Sequence, residues 1–204
     1  MNTAHQHLTE TAQAPSNDVG NLTPSQIGML AFLVSEVAFF STLIVAYLTF
    51  VGRDRSGPTP AEALSLPLAL VSTMFLFASS FTLHRAEQLL HRGSRSGFHL
   101  WWGLTILLGV TFLVGTAYEW SELIRVHGLT ISANLFGSTY YTLVGFHGVH
   151  VGCGLLAMSV VLGLSLRDRI GTQPGGGIEL VGWYWHFVDA VWAVVFSVVY
   201  LWGR

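Results

Sequence analysis

Two pairs of residues with ionisable side chains lie within apolar stretches of the sequence. Such side chains could bind a metal ion or transfer a proton, which their apolar neighbours cannot do. His147 and His150 lie in GFHGVHVGCG, and His186 and Asp189 lie in YWHFVDAVW. Each pair has i, i+3 spacing, which places both side chains on nearly the same side of a helix. Such pairs on facing helices could ligate a metal ion or a haem. They could equally be interhelical hydrogen-bond clamps or, as a third alternative, part of a proton path.

Two carboxylates also occur in or beside apolar stretches. Glu36 lies in LVSEVAFFS, flanked only by apolar and small residues, and Glu119 lies in TAYEWSEL. A lone charge within a membrane is costly, so we expect Glu36 to be protonated or hydrogen-bonded to a partner on another helix. Glu119 precedes Trp120, and this pairing favours an anchor at the membrane interface.

The elements that carry these residues are five apolar stretches, each long enough as a helix to cross a hydrocarbon core of about 30 Å. Their approximate bounds are Ile27–Val51, Leu64–Leu83, Phe98–Tyr118, Leu135–Leu166 and Leu180–Trp202. Of the 204 residues, 51% are apolar and only 10% are charged, against about 25% charged in a soluble domain. The sequence therefore predicts an all-α membrane protein, with five transmembrane helices in residues 25–204 and a mobile polar tail at residues 1–24.

Other features of the chain narrow its class. All nine basic residues are arginines, scattered singly or in pairs, and they offer no basic face to nucleic acid. We find no catalytic motif and no internal repeat of the kind that builds inverted-repeat transporters. His5 and His7 in the tail are interpreted as polar filler. Gly148 and Gly152 form a small-xxx-small pair, with Gly145 and Gly154 alongside, that would let a neighbouring helix pack closely. Cys153 is predicted to be buried.

Five strings of the sequence occur in the same order in subunit III of the haem–copper oxidases. They are LVSEVAFF, LPLALVST, TAYEW, GSTYYTLVGFHGVHVGCGLL and WYWHFVDAVWAVVFSVVYLWG. The chain thus resembles the cytochrome c oxidase subunit III family over about residues 24–204. Its five spans are similar to the short bacterial form, which lacks the first two of the seven spans found in long members.

The resemblance implies an accessory subunit that binds neither haem nor copper itself. It implies two groups of helices around a V-shaped cleft that holds phospholipid. Glu36 matches the family's intramembrane carboxylate that reacts with carbodiimides, and it would face the cleft with His150 as its partner. The residues assigned to polar clamps and to the cleft are His147, His150, His186, Asp189, Glu119 and Trp185.

The same resemblance implies partners and an electron donor. Oxidase subunit I would contact the chain directly, with subunit II and a small subunit IV in one complex whose other chains hold haem and copper. The chain would stabilise subunit I and support proton uptake. The string WYWHFVD favours cytochrome c as donor, whereas quinol oxidases tend to carry a WHFLD-like string. A free-standing haem-binding or transport protein is the alternative from another class.

Orientation and one departure from the family pattern complete the expectations. Five arginines on one side of the membrane against four on the other weakly favour an N-terminus in the bacterial cytoplasm and a C-terminus outside. Many family members carry a Glu in the segment before the second span of this chain, where Ser65 stands here. Glu179, the acidic residue ahead of the last span, is kept.

Overall fold

The computed structural model describes residues 22–53, 58, 60, 64–167, 169 and 176–203, and every regular element among them is helical. The helices are α1 (Pro24–Phe50), α2 (Leu66–His91), α3 (Arg95–Arg125), α4 (Leu135–Leu166) and α5 (Gly177–Phe196), which a π-helical segment, Ser197–Trp202, continues. All five helices are long and apolar enough to cross a membrane. The prediction of an all-α membrane protein with five spans is confirmed. The predicted mobile tail, with His5 and His7, lies outside the described residues.

Two helices are longer than their apolar stretches. The sequence placed HRAEQLLH and EWSELIR in polar connections, but the structure continues α2 to His91 and α3 to Arg125. Leu, Ala, Glu, Gln and Arg are good helix formers, so the helices extend into the interface after the hydropathy has fallen. Glycines end both helices: Gly93 has φ +77° and Gly128 has φ +62°, a conformation that a side chain would disfavour.

The bundle is assembled around α4 and α5. The main contacts of α4 are with α1, α3 and α5, and those of α5 are with α1, α2 and α4. The short turn at residues 92–94 joins α2 and α3 into an antiparallel hairpin. An apolar groove of ≈ 250 Å³ lies between α1 and α5. The two helix groups and the V-shaped cleft stay predictions.

The outer surface of the bundle is apolar, unlike that of a soluble protein. Met74, Leu100 and Val34 are about 70% exposed, as suits side chains that face lipid. The interior instead contains hydroxyls that join helices. Thr82 on α2 contacts Thr105 on α3 at 2.8 Å between their hydroxyl oxygens. Such bonds fix the register of the helices, because apolar packing alone does not distinguish the interior from lipid.

The glycine prediction is confirmed at two of its four positions. A Cβ on Gly154 would lie 2.9 Å from the ring of Trp185, and a Cβ on Gly145 would lie 3.3 Å from the ring of Trp120. The prediction is wrong for Gly148 and Gly152, where an added Cβ would meet no atom within 4 Å, so no described helix packs on that pair. Cys153, predicted to be buried, is exposed. The side of α4 that carries Gly148, Gly152 and Cys153 therefore faces outward.

Candidate functional site

Glu36 and His150 meet between α1 and α4. Glu36 Oε2 lies 3.0 Å from His150 Nε2, and both side chains are 17% exposed. The second ring nitrogen, Nδ1, lies 2.7 Å from the carbonyl oxygen of Phe146, one turn earlier in α4. On the far side, the hydroxyl of Tyr184 on α5 donates to the His150 carbonyl at 2.9 Å. Three helices therefore converge on His150.

The geometry limits how many protons the Glu36–His150 pair can hold. Nδ1 must carry a hydrogen, because the carbonyl oxygen of Phe146 has none to donate. One further proton then serves the contact between Nε2 and Oε2. It lies either on the carboxyl, which donates to a neutral ring, or on the ring, which donates to a carboxylate. The pair has zero net charge in both forms, which is the low-cost arrangement within a membrane.

His147 has a different environment from His150. It is 1% exposed, and neither ring nitrogen has a hydrogen-bond partner in the described part of the chain. Its ring stacks on Trp192 of α5 at a centroid distance of 4.8 Å, with the edge of Phe112 from α3 at 6.1 Å. The expectation that His147 and His150 act from one side of α4 as hydrogen-bond clamps is therefore wrong for His147, which packs as an aromatic side chain.

His186 and Asp189 on α5 meet a single hydroxyl on α2. Ser80 Oγ donates to Asp189 Oδ2 in a short hydrogen bond and lies 3.1 Å from His186 Nδ1. A serine hydroxyl has one hydrogen to donate, so His186 Nδ1 must be the donor in the second bond. Asp189 is 5% exposed and its other oxygen, Oδ1, has no partner among the described residues. One hydroxyl of α2 thus bonds to both residues of α5, and their role as an interhelical clamp stays a prediction.

Trp185 packs closely against two glycines in the interior. Its indole is fully buried against Gly154 of α4 and Gly109 of α3, where an added Cβ would lie 2.9 Å and 2.8 Å from the ring. Its Nε1 donates to the hydroxyl of Ser79 on α2 at 2.9 Å. Glycines at both positions allow the backbones to approach this large ring. Trp185 therefore ties α2, α3 and α4 to α5.

Glu119 was predicted to be an interface anchor, but it is 5% exposed within the bundle. Its Oε2 accepts a hydrogen bond from Tyr200 at 2.8 Å, and the Tyr200 hydroxyl lies 3.2 Å from that of Tyr140 on α4. Tyr200 belongs to the π-helical segment. The extended α3 carries Glu119 between these helices, and the carboxylate joins a buried hydrogen-bonded network.

Sequence reasoning missed the hydroxyl partners of these groups. Besides Ser79 and Ser80, Thr73 of α2 accepts from Trp192 Nε1 at 3.0 Å. Thr73 and Ser80 are seven residues apart, or about two helical turns, so they lie on one side of α2. This period could have indicated the side of α2 that faces α5.

A further polar contact joins α1 to α5 at one end of the bundle, where Gln26 Nε2 donates to Glu179 Oε1 at 2.8 Å.

These groups serve contacts between helices. Among the described residues, no three His, Cys, Asp or Glu side chains are grouped as a metal ion would require. Glu36, His150, His186, Asp189 and Glu119 instead form hydrogen bonds to other helices. Fold and site together define a multi-pass membrane protein whose buried polar groups fasten its helices.

Comparison with known proteins identifies the family. The model of the family described as cytochrome c oxidase subunit III matches residues 16–204. The cytochrome c oxidase subunit 3 of Corynebacterium diphtheriae is 38% identical over 177 residues, which cover 85% of this chain and 86% of that protein. The corresponding protein of Synechocystis is 38% identical, with coverage of 85% and 74%, and that of Bacillus subtilis is 34% identical, with coverage of 87% and 86%. The chain belongs to the cytochrome c oxidase subunit III family, and it is an accessory subunit of a haem–copper oxidase.

Proposed function

We propose that this chain is the non-catalytic subunit III of a proton-translocating cytochrome c oxidase and contains no redox centre of its own. It contacts catalytic subunit I directly, within a complex that includes subunit II and a small subunit IV. It stabilises subunit I and supports proton uptake, and it binds phospholipid. Haem and copper belong to the partner chains, and cytochrome c supplies the electrons.

The observation that carries this proposal is that the ring nitrogens of both histidines of α4 face other groups of the bundle and not an open space. An axial haem ligand needs a ring nitrogen directed at the iron. Both ring nitrogens of His150 contact oxygen atoms, of Glu36 and Phe146. The ring of His147 is enclosed by aromatic side chains and stacks on Trp192. Neither residue presents a nitrogen to a haem-sized space, which favours an accessory role over a free-standing haem protein.

The proposed contribution to proton uptake rests on the Glu36–His150 pair. Its shared proton can pass between His150 Nε2 and Glu36 Oε2, which lie 3.0 Å apart, without a change in the net charge of the pair. Of each side chain, 17% is exposed. The groove between α1 and α5 begins next to Glu36, at Val37 and Phe40. Its apolar walls suit the acyl chain of a bound lipid.

Copurification tests the assignment to a complex. The chain carrying an affinity tag is isolated in mild detergent from its own membranes, the accompanying chains are identified, and a reduced-minus-oxidised spectrum is recorded. We expect larger partner chains, a-type haem and a dinuclear copper signal. Haem of b or o type without that copper would assign the donor to quinol, and a chain that stayed alone in native membranes would contradict the oxidase assignment.

Substitution of the histidines separates this proposal from a haem carrier. His147→Gln and His150→Gln are compared with His91→Gln, which alters an exposed histidine at the end of α2. We expect the chain alone to be colourless in all four forms and the intact complex to keep its full haem content. A Soret band that disappears only in the His147 or His150 variant would establish haem ligation by this chain instead.

Orientation in the bacterial inner membrane is the last part of the proposal. Of the described arginines, five lie at the end of the bundle where α1 begins, and Arg53 and Arg125 lie at the opposite end. Since positive loops are retained in the cytoplasm, α1 would begin there. Alkaline phosphatase fused after residue 204 should be active, and a fusion in the turn between α2 and α3 should be inactive. The reverse pattern would overturn the orientation.

A further inference from the structure

A second groove, of ≈ 240 Å³, lies between α2 and α3, away from the Glu36–His150 pair. Its lining residues are Phe81, Arg85, Gln88, Leu89, Arg92 and Trp101. Arg85 precedes the end of α2 by six residues, about 9 Å at the helical rise. The groove therefore lies where hydrocarbon gives way to headgroups, the zone in which tryptophan is enriched.

The two arginines of this groove have no acidic partner in the described part of the chain. Neither Arg85 nor Arg92 forms an ion pair there. Glu87 lies close to them in sequence, but its carboxylate faces α5, where it lies against Gly182. The guanidinium carbon of Arg85 lies 5.3 Å from the centroid of the Phe81 ring. Two cations thus share one groove without a counter-charge, and one of them lies over an aromatic ring.

We propose that this groove binds a phospholipid with an anionic headgroup. The phosphate lies between Arg85 and Arg92, which are seven residues apart on one side of α2. Gln88, between them, supplies a further polar side chain. Phe81, Leu89 and the ring of Trp101 receive the beginning of an acyl chain. Basic pockets between transmembrane helices bind anionic headgroups in this way.

The charge pattern selects the lipid class. Phosphatidylcholine carries a cationic group that two arginines would repel, whereas phosphatidylglycerol and cardiolipin present phosphate with no such group. A free phosphate ion would satisfy the arginines but would leave the apolar part of the groove unused. The occupant is therefore a whole anionic lipid. This inference does not depend on the electron donor or on the lipid proposed near Glu36.

Native mass spectrometry of the full-length chain in mild detergent tests the proposal by titration with dioleoyl phosphatidylglycerol and, separately, with dioleoyl phosphatidylcholine. The variant Arg85→Gln with Arg92→Gln removes both charges. The matched control, Arg125→Gln with Arg167→Gln, removes two exposed charges elsewhere. We expect the groove variant to bind phosphatidylglycerol about 30-fold more weakly than the unaltered chain. The control should stay within about threefold of the unaltered chain, and phosphatidylcholine binding should not change.

Further variants and competitors control for misfolding of the double variant and for binding of other ligands. If the double variant aggregates, Arg92→Gln alone, just beyond the end of α2, should weaken phosphatidylglycerol binding about fivefold. Lysine at both positions should restore most of the affinity. Equal losses in the groove variant and the control, or full competition by inorganic phosphate, would overturn the proposal. Loss of partner chains from the oxidase with unchanged lipid retention would assign the groove to an acidic protein partner instead.

Discussion

Ser80 joins α2 to α5 through two hydrogen bonds, and its replacement by alanine is the sharpest test of the clamp. The hydroxyl donates to Asp189 Oδ2 and accepts from His186 Nδ1. Ser80→Ala deletes both bonds with almost no change of volume. Because the second oxygen of Asp189 has no partner among the described residues, the variant leaves a buried carboxyl group with neither oxygen satisfied by the described chain.

The magnitude follows from the number of bonds. Interhelical hydrogen bonds in membranes contribute about 0.6 kcal/mol on average and up to about 1.7 kcal/mol. Ser80→Ala removes two such bonds, one of them to a buried carboxyl group. We therefore expect it to lower the free energy of unfolding by about 2 kcal/mol. That loss corresponds to about a 30-fold change in the folding equilibrium. The same reasoning predicts a smaller effect for Asp189→Asn, whose amide oxygen still accepts from Ser80, than for Asp189→Leu, which should weaken folding of the bundle.

Reversible unfolding in mixed micelles, followed by circular dichroism, measures these differences. Ser159→Ala is the matched control, because the Ser159 hydroxyl donates to the Leu155 carbonyl of its own helix at 2.7 Å. We expect the control to lose less than about 0.5 kcal/mol. A double-mutant cycle of Ser80→Ala with Asp189→Leu should show strong coupling. Additive effects, or a Ser80→Ala loss no larger than the control, would refute the clamp.

Three further predictions concern the other contacts. Glu36→Gln should leave copurification with partner chains nearly intact, because an amide can donate to the neutral ring of His150; outright loss of assembly would indicate a charged, paired Glu36. Gly154→Val should lower the thermal midpoint of the chain in detergent through a clash with the buried indole, at a cost of about 1–3 kcal/mol, while Gly148→Val should not; equal midpoints would contradict the packing. Tyr200→Phe should cost about 1–2 kcal/mol in the same unfolding assay, because it removes the hydroxyl that donates to the buried Glu119 side chain. An unchanged stability would exclude that bond.

The number and type of helices could be predicted from hydropathy, but their ends could not. Helix α4 runs from Leu135 to Leu166, as its apolar stretch predicted. Helices α2 and α3 continue past Leu83 and Tyr118 because their next residues are polar helix formers. Hydropathy reports the solvent preference of the side chains, whereas α2 ends where Gly93 turns the backbone. Because α3 continues past Tyr118, Glu119 lies inside the bundle and not at the membrane interface, where it was predicted to be.

The candidate residues could be found from the sequence, but only some of their partners could. An acid or a histidine in an apolar stretch is visible directly, and the family resemblance predicts the contact of Glu36 with His150. Spacing on one helix cannot report which neighbour each side chain meets. His147 and His150 are three residues apart, yet one stacks on Trp192 and the other bonds to Glu36. The rotation of α4 between its neighbours, which tertiary packing sets, decides this difference.

The polar side chains of the bundle separate into enclosed and accessible groups. Within lipid the apolar surfaces of the helices do not favour one another over the acyl chains, so directional contacts must select the native arrangement. Trp185, Asp189 and Glu119 make such contacts in the interior. Glu36 and His150 bond to each other but remain 17% exposed, so they can also respond to what covers them. The proposed contribution to proton uptake therefore rests on this accessible pair, while the enclosed contacts keep the helices in place.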